Sequence, residues 1–283
     1  MDAPLGAARR ASVRAGRSRA READQRRVDA ARIDAAAGRR FGRLLRRWFR
    51  VHGRDLPWRK TRDPYHVLVS ELMLQQTQVS RVVPRYAAFL ERFPTLHDVA
   101  RARAARVTEA WSGLGYYARA RNLHSLARAV TDRGRDAAAT LPPEAESLRA
   151  LPGIGAYTAG AVSSFAYERR AELVDTNVAR VLKRVFAPDV ELKTGRGQKR
   201  LWAIARQLLP RTGRTTWVHN QALMELGALV CTARVARCGV CPVRVVCATY
   251  SAAVAAPASE ATVLVAASAR APRRAGSPLP ARS

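Results

Sequence analysis

The chain has 283 residues, 48% of them hydrophobic, and carries 50 Lys and Arg against 22 Asp and Glu, a formal net charge of +28. That length can bury one large core or two modest ones. The four cysteines all fall between Cys231 and Cys247, which excludes a secreted disulfide scaffold with bridges spread along the chain, and no stretch is long and apolar enough to cross a bilayer as a helix.

Residues 1–40 hold eleven Arg against five acids with hardly a large apolar side chain, and read as a disordered basic tail. Residues 251–283, rich in Ala, Ser, Pro and Arg, read as a second disordered tail. Most of the excess charge therefore lies on the body, which implies a polyanionic partner, nucleic acid ahead of a membrane surface. Arg outnumbers Lys by 46 to 4; base composition of the genome explains that choice better than it explains the missing acids. With no apolar signal-peptide core at the N-terminus and clustered cysteines, a cytoplasmic protein with reduced thiols is expected.

Phe41, Leu44, Leu45 and Trp48 share the spacing of a first amphipathic helix. Arg54-Asp55-Leu56-Pro57-Trp58-Arg59 follows as a connection, with Trp58 either a core anchor or a flat surface for a base. A helix is predicted from Pro64 to about Val79. Inside its apolar run sits Glu71, whose helical neighbours are Val67, Leu68, Leu74 and Gln75. A carboxyl walled by hydrocarbon holds its proton more tightly, as a general acid near neutral pH must; the alternative is an exposed helix stripe. Gln75-Gln76-Thr77-Gln78 can donate to and accept from base edges.

Further helices are predicted near 82–93, 96–101 and 104–112. The loop Gly113-Leu114-Gly115-Tyr116-Tyr117 then precedes Arg119 and Arg121. Such a loop suits an apolar wedge in a base stack with cations on the phosphates; core packing of the tyrosines is the alternative. Leu151-Pro152-Gly153-Ile154-Gly155 opens a helical run from Ala156 to Tyr167, and Val174-Asp175-Thr176-Asn177 opens another. Two glycines around one aliphatic residue make a turn whose bare N–H groups sit at the positive end of a helix, a place for a phosphate. Asp175 is either a plain N-cap or a fixed charge beside that turn. Helices at 201–209 and 217–230 complete the body, and no segment sustains period-two alternation, so the fold is expected to be all-α.

Cys231, Cys238, Cys241 and Cys247 have the spacing C-x6-C-x2-C-x5-C. Four thiolates in one compact loop suit a four-iron four-sulfur cluster or a tetrahedral zinc, and spacing alone favours the cluster.

Taken together from about Arg54 to Cys247, these motifs resemble the adenine DNA glycosylases of the MutY type, in the helix-hairpin-helix superfamily shared with endonuclease III. The resemblance rests on Leu56-Pro57-Trp58-Arg59, the run Ser70 to Val79, Gly113 to Arg119, the Leu151 to Gly155 hairpin, Val174 to Asn177 and the four cysteines. It implies two lobes flanking a DNA cleft: a six-helix domain over 63–170 containing the hairpin, and a domain over 41–62 and 171–250 holding a 4Fe-4S cluster on Cys231, Cys238, Cys241 and Cys247. The implied partner of this monomer is double-stranded DNA with adenine opposite 8-oxoguanine or guanine. Glu71 matches the acid that protonates N7 of a flipped adenine, and Asp175 the carboxylate that stabilises or captures the resulting oxocarbenium ion. Asn177 matches the residue that orients the carboxylates; Arg54, Leu56, Trp58 and Gln221 line the adenine pocket. Gln76 and Tyr116 match residues inserted into the stack, with Thr77 and Leu114 beside them and Gly153 and Gly155 on the phosphate.

Tyr157 stands where strand-cutting members carry a nucleophilic Lys, and a phenol cannot form an imine, so a monofunctional enzyme is expected with Tyr157 hydrogen-bonded near Asp175. T/G-mismatch glycosylases share this Tyr and the Asp but lack the Glu and Gln-Gln pattern of Glu71, Gln75 and Gln76. A non-catalytic iron-sulfur DNA-binding protein is a third reading. Two departures stand out: Thr176 replaces a frequent Gly, and only 36 residues follow Cys247, too few for the Nudix-like domain that reads 8-oxoguanine in typical members.

Overall fold

A computed structural model describes residues 33–132 and 140–255. Among them the chain is helical, and the one strand-like pairing is an isolated antiparallel bridge between Cys231 and Ala236. The predicted all-α class holds.

Helix α1 spans Ala35–His52 and starts inside the stretch read as a tail. That boundary needs correction: Asp34 caps the helix by accepting from the Ala37 N–H at 2.7 Å, and the Ile33 N–H donates to Gln207 Oε1 at 3.1 Å. A short polar cap and an alanine triplet are enough to extend the helix N-terminally once Phe41 and Leu45 are buried. Residues 1–32 and 256–283, the remainder of the two predicted tails, lie outside the described residues.

A one-turn 3-10 helix, Pro57–Arg59, leads to α2, Pro64–Leu74, capped by Asp63. α2 stops five residues short of its predicted end, because Gln75 to Gln78 form a turn in which Gln76 has φ +55°. From Tyr65 to Met73 only His66 escapes full burial, as expected for a helix enclosed on every side. Then come α3 (Val79–Arg92), α4 (Leu96–Arg101), α5 (Ala104–Ala110), α6 (Ala118–Thr131), α7 (Ala145–Arg149) and α8 (Ala156–Phe165). α9 (Thr176–Phe186), α10 (Gly195–Gln207), α11 (Gly213–Leu229) and α12 (Ala248–Ala255) close the order. α12 runs beyond residue 251, where the second tail was placed; Thr249 Oγ1 anchors it by donating to the Arg184 carbonyl at 2.7 Å.

One hydrophobic core runs through the molecule, with Leu68 and Met73 of α2, Trp111, Leu126, Leu182 and Leu226 fully enclosed. α2 packs against α8, and α1 returns to pack against α11, so the first and last parts of the described chain share a face. At Gly160 of α8 a Cβ would lie 2.1 Å from the Glu172 carbonyl oxygen, so only glycine lets the two backbones approach.

Candidate active site

Where α2, the start of α8, the start of α9 and the middle of α11 converge, they leave a cleft of about 770 Å³. Glu71, Tyr157, Asp175 and Asn177 line it, as do Arg54, Leu56, Trp58 and Gln221. Gln76, Thr77 and Gly155 lie at its edge. Four segments far apart in sequence thus bring most of the expected site residues to one place.

Glu71 is 3% exposed and comes from the enclosed helix α2. Burial pushes its carboxyl up to about 7; the hydrogen bond from Tyr157 opposes that shift, Asp175 reinforces it and Arg59 opposes it. The Tyr157 hydroxyl donates to Glu71 Oε2 at 2.6 Å and lies close enough to Asp175 to feel its charge, so the bond expected near Asp175 is made to the acid. Burial also raises the Tyr157 hydroxyl well above its ordinary range, which keeps it a donor.

Asp175 combines the two roles set against each other in the sequence. It is the N-cap of α9, accepting from the Val178 N–H at 2.7 Å, and it faces the cleft. Burial raises its carboxyl, while bonds from Val178 and Asn177 work to lower it. Asn177 Nδ2 donates to Asp175 Oδ2 at 3.1 Å, and Asn177 Oδ1 accepts from Arg180 at 2.8 Å. Arg180 reaches on to the carbonyls of Gly227 and Cys231, which fixes the amide's orientation.

Sequence reasoning missed Glu225. It is 1% exposed on α11 and is held by Arg54 Nε at 2.9 Å and Arg59 Nη2 at 2.8 Å, while Arg59 Nε donates to Gln221 Oε1. Burial works to raise Glu225, but the two guanidinium groups overcome it and hold the carboxyl at about 2. The ion cluster thus fixes the wall that carries Gln221 and keeps Arg54 and Arg59 from neutralising Asp175 or Glu71 outright. One acid four residues after Gln221 was the only sequence signal for it.

The wedge loop differs from expectation. Tyr116 is 59% exposed, which favours the wedge reading over core packing, but the Leu114 side chain is buried in the core and presents only backbone. Arg119, read as a phosphate contact, is also buried: it donates to the carbonyls of Leu72, Met73, Gln75, Leu114 and Gly115, and to Thr77 Oγ1. One guanidinium thereby ties together two turns that each contain a left-handed residue, Gln76 at φ +55° and Tyr116 at φ +48°. Arg119→Met should cost at least about 3 kcal/mol in chemical denaturation, because several buried carbonyls lose their donor together. A loss below about 1 kcal/mol would show that water replaces the clamp.

In the hairpin, Gly153 has φ +74°, and a Cβ there would lie 2.6 Å from Asn122 Cβ. Gly155 is the N-cap of α8, and nothing lies within 4 Å of where its Cβ would stand. Gly153 does not line the cleft; it shapes the turn that leads into it.

Cys231, Cys238, Cys241 and Cys247 are free thiols lining one cavity of about 390 Å³. Arg184 Nη1 lies 3.3 Å from Cys231 Sγ, and Arg234 and Arg237 stand at the rim. Among the described residues no three His, Cys, Asp or Glu converge closely enough to grip one metal ion. Four thiols lining one cavity supply the donor set that a four-iron four-sulfur cluster or a tetrahedral zinc needs.

Residues 69–207 match the HhH-GPD superfamily of base excision DNA repair proteins. The chain resembles this family over 139 of its 283 residues. The chain is 46% identical over 198 residues to an adenine DNA glycosylase of Mycolicibacterium smegmatis, covering 69% of this chain and 64% of that protein. It is 43% identical over 218 residues to the adenine DNA glycosylase of Rattus norvegicus, covering 73% and 41% respectively. The chain therefore spans less than two thirds of the length of these relatives. A solved thermostable thymine-DNA glycosylase superposes with a TM-score of 0.69 at 29% identity, over 77% of this chain and all of that one. No helix among the described residues is long and apolar enough to cross a membrane.

Proposed function

We propose that the protein is a monofunctional DNA glycosylase that hydrolyses the N-glycosidic bond of adenine mispaired with 8-oxoguanine or guanine in double-stranded DNA, acting as a monomer. The observation that carries this reading is the pairing, in one cleft, of a buried Glu71 held near pH 7 with the capped carboxylate of Asp175. Expelling adenine requires a proton on N7 and a negative charge below the sugar as the C1′–N9 bond breaks. Glu71 supplies the first and Asp175 the second, stabilising or briefly capturing the oxocarbenium ion before water adds to C1′. Tyr157 and Asn177 position the two carboxylates. Arg54, Leu56, Trp58 and Gln221 enclose the base, and Gln76 and Tyr116 fill the stack it leaves, with Thr77 and Leu114 framing them. The hairpin at Gly153 and Gly155 holds a phosphate.

The four cysteines hold a 4Fe-4S cluster, which clips the loop after α11 to the rest of its lobe. The domain division is 63–170 for the six-helix domain and 41–62 with 171–250 for the cluster domain. A cytoplasmic location follows from the thiols and the substrate.

The likeness to a thymine-DNA glycosylase favours T:G as the rival substrate. A labelled duplex carrying A opposite 8-oxoguanine, A opposite G or T opposite G separates the two, with each product analysed before and after alkali. Breaks after alkali at both adenine mispairs, and none without it, are expected. Breaks without alkali would overturn the monofunctional assignment, and cleavage at T:G alone would reassign the substrate. No abasic product from any duplex would leave a binding protein.

A further inference from the structure

A second groove lies between the N-terminal half of α1 and the segment joining α10 to α11, with a volume of about 960 Å³. Arg39, Arg43 and Arg46 form one wall, at the i, i+4, i+7 spacing that puts them on one helix face. Arg206 and Arg211 stand opposite, and no acidic side chain lines the groove. Arg206 is engaged by Glu172 at 2.7 Å, whereas Arg39, Arg43, Arg46 and Arg211 have no carboxylate partner among the described residues. Ile33 Cδ1 covers Gly38, 3.0 Å from where a Cβ would stand, and a Cβ on Gly42 would meet Arg46 Nη1 at 2.8 Å, so the guanidinium lies back over the backbone there. Burial and the neighbouring Arg50 and Arg43 all disfavour the charge on Arg46. Like charges this close are costly without a polyanion to share them.

The stripe from Arg39 to Arg46 rises about 10 Å, the axial span of about three nucleotides of one strand. Guanidinium forks at that spacing suit successive phosphates. Position selects the ligand further. α1 leads from this groove to Arg54, and α11 leads from Thr215 in this groove to Gln221, both in the active-site cleft. Along these helices the two sites are about 10–20 Å apart, or about three to six base pairs of duplex.

We propose that this groove binds the sugar-phosphate backbone of duplex DNA flanking the base held in the cleft. The choice of ligand rests on the function proposed for that cleft; the cationic groove itself does not. The test measures binding to a duplex with a non-hydrolysable adenine analogue opposite 8-oxoguanine across a salt series, with about two helical turns on each side. Replacing Arg39, Arg43 and Arg46 together by Gln should make the slope of log K against log salt shallower by about 2.7. Over a fourfold rise in salt that is on the order of a 40-fold smaller loss of affinity. The single-turnover excision rate at saturating enzyme should not change, because none of the three touches the cleft. The matching triple Lys variant should keep the wild-type slope, since counterion release depends on charge. An unchanged slope in the Gln variant overturns the proposal, and so does a slope lost equally in the Lys variant. If the wild type excises nothing, the assignment of the cleft fails while the slopes still report on the groove.

Discussion

Asp175→Asn is expected to lower the single-turnover excision rate by at least about 100-fold while DNA affinity changes little, because only the transition state carries the charge that the carboxylate answers. The substitution is otherwise mild. Asparagine is as good an N-cap as aspartate, so its Oδ1 can keep the bond to the Val178 N–H that starts α9. Burial already opposes the charge on Asp175, so its removal costs the fold little. A melting temperature near that of the wild type alongside the lost rate would separate chemistry from folding. Retention of more than about a tenth of the rate would remove Asp175 from the mechanism.

Glu71→Gln should abolish general-acid catalysis and, at the same time, stabilise the protein at alkaline pH. The folded-state value of about 7 lies above the ordinary 4.5, so ionisation is penalised in the folded state. The penalty is absent below pH 4.5, grows as pH rises through the interval, and is complete above about 7. At pH 8 a neutral isostere avoids it, a gain on the order of 3 kcal/mol in chemical denaturation, with no gain expected at pH 4. The substituted amide would still offer an oxygen to the Tyr157 hydroxyl. In the wild type the same ionisation should make excision fall about tenfold per pH unit above about 7. At low pH the rate should fall as Asp175 takes up a proton, at a pH raised by its burial. A flat profile up to pH 9, or a variant no more stable at pH 8 than the wild type, would place the proton donor elsewhere.

Much of the fold and the candidate site was legible because local patterns carried it. Local patterns located α1 to α5 and α8 to α11, the absence of alternation pointed to the all-α class, and the hydrocarbon neighbours of Glu71 indicated burial before any contact was known. What escaped depends on long-range packing. Arg119 and Arg121 look alike in sequence, but only Arg119 faces inward, where carbonyls from two distant turns use its donors. Leu114 sits in a loop, yet the core takes its side chain. Glu225 could not be matched to Arg54 and Arg59 across more than 160 positions, since nothing local marks an acid as the partner of a distant cation. Helix ends shifted wherever a cap or turn outside the apolar pattern decided them, as at Asp34 and at Gln75 to Gln78.

The hairpin and the acid belong to one lever. Gly155 ends the turn and caps α8, and two residues later Tyr157, in the first turn of that same rigid helix, reaches Glu71. A displacement of the hairpin therefore carries the phenol with it, and a shift of about 1 Å would take a 2.6 Å contact past hydrogen-bonding reach. Without that donor, Glu71 would hold its proton more tightly and release it less readily. On the proposed function, seating of the turn on a backbone phosphate and readiness of the acid would be joined mechanically, and a poorly docked duplex would meet a reluctant proton donor.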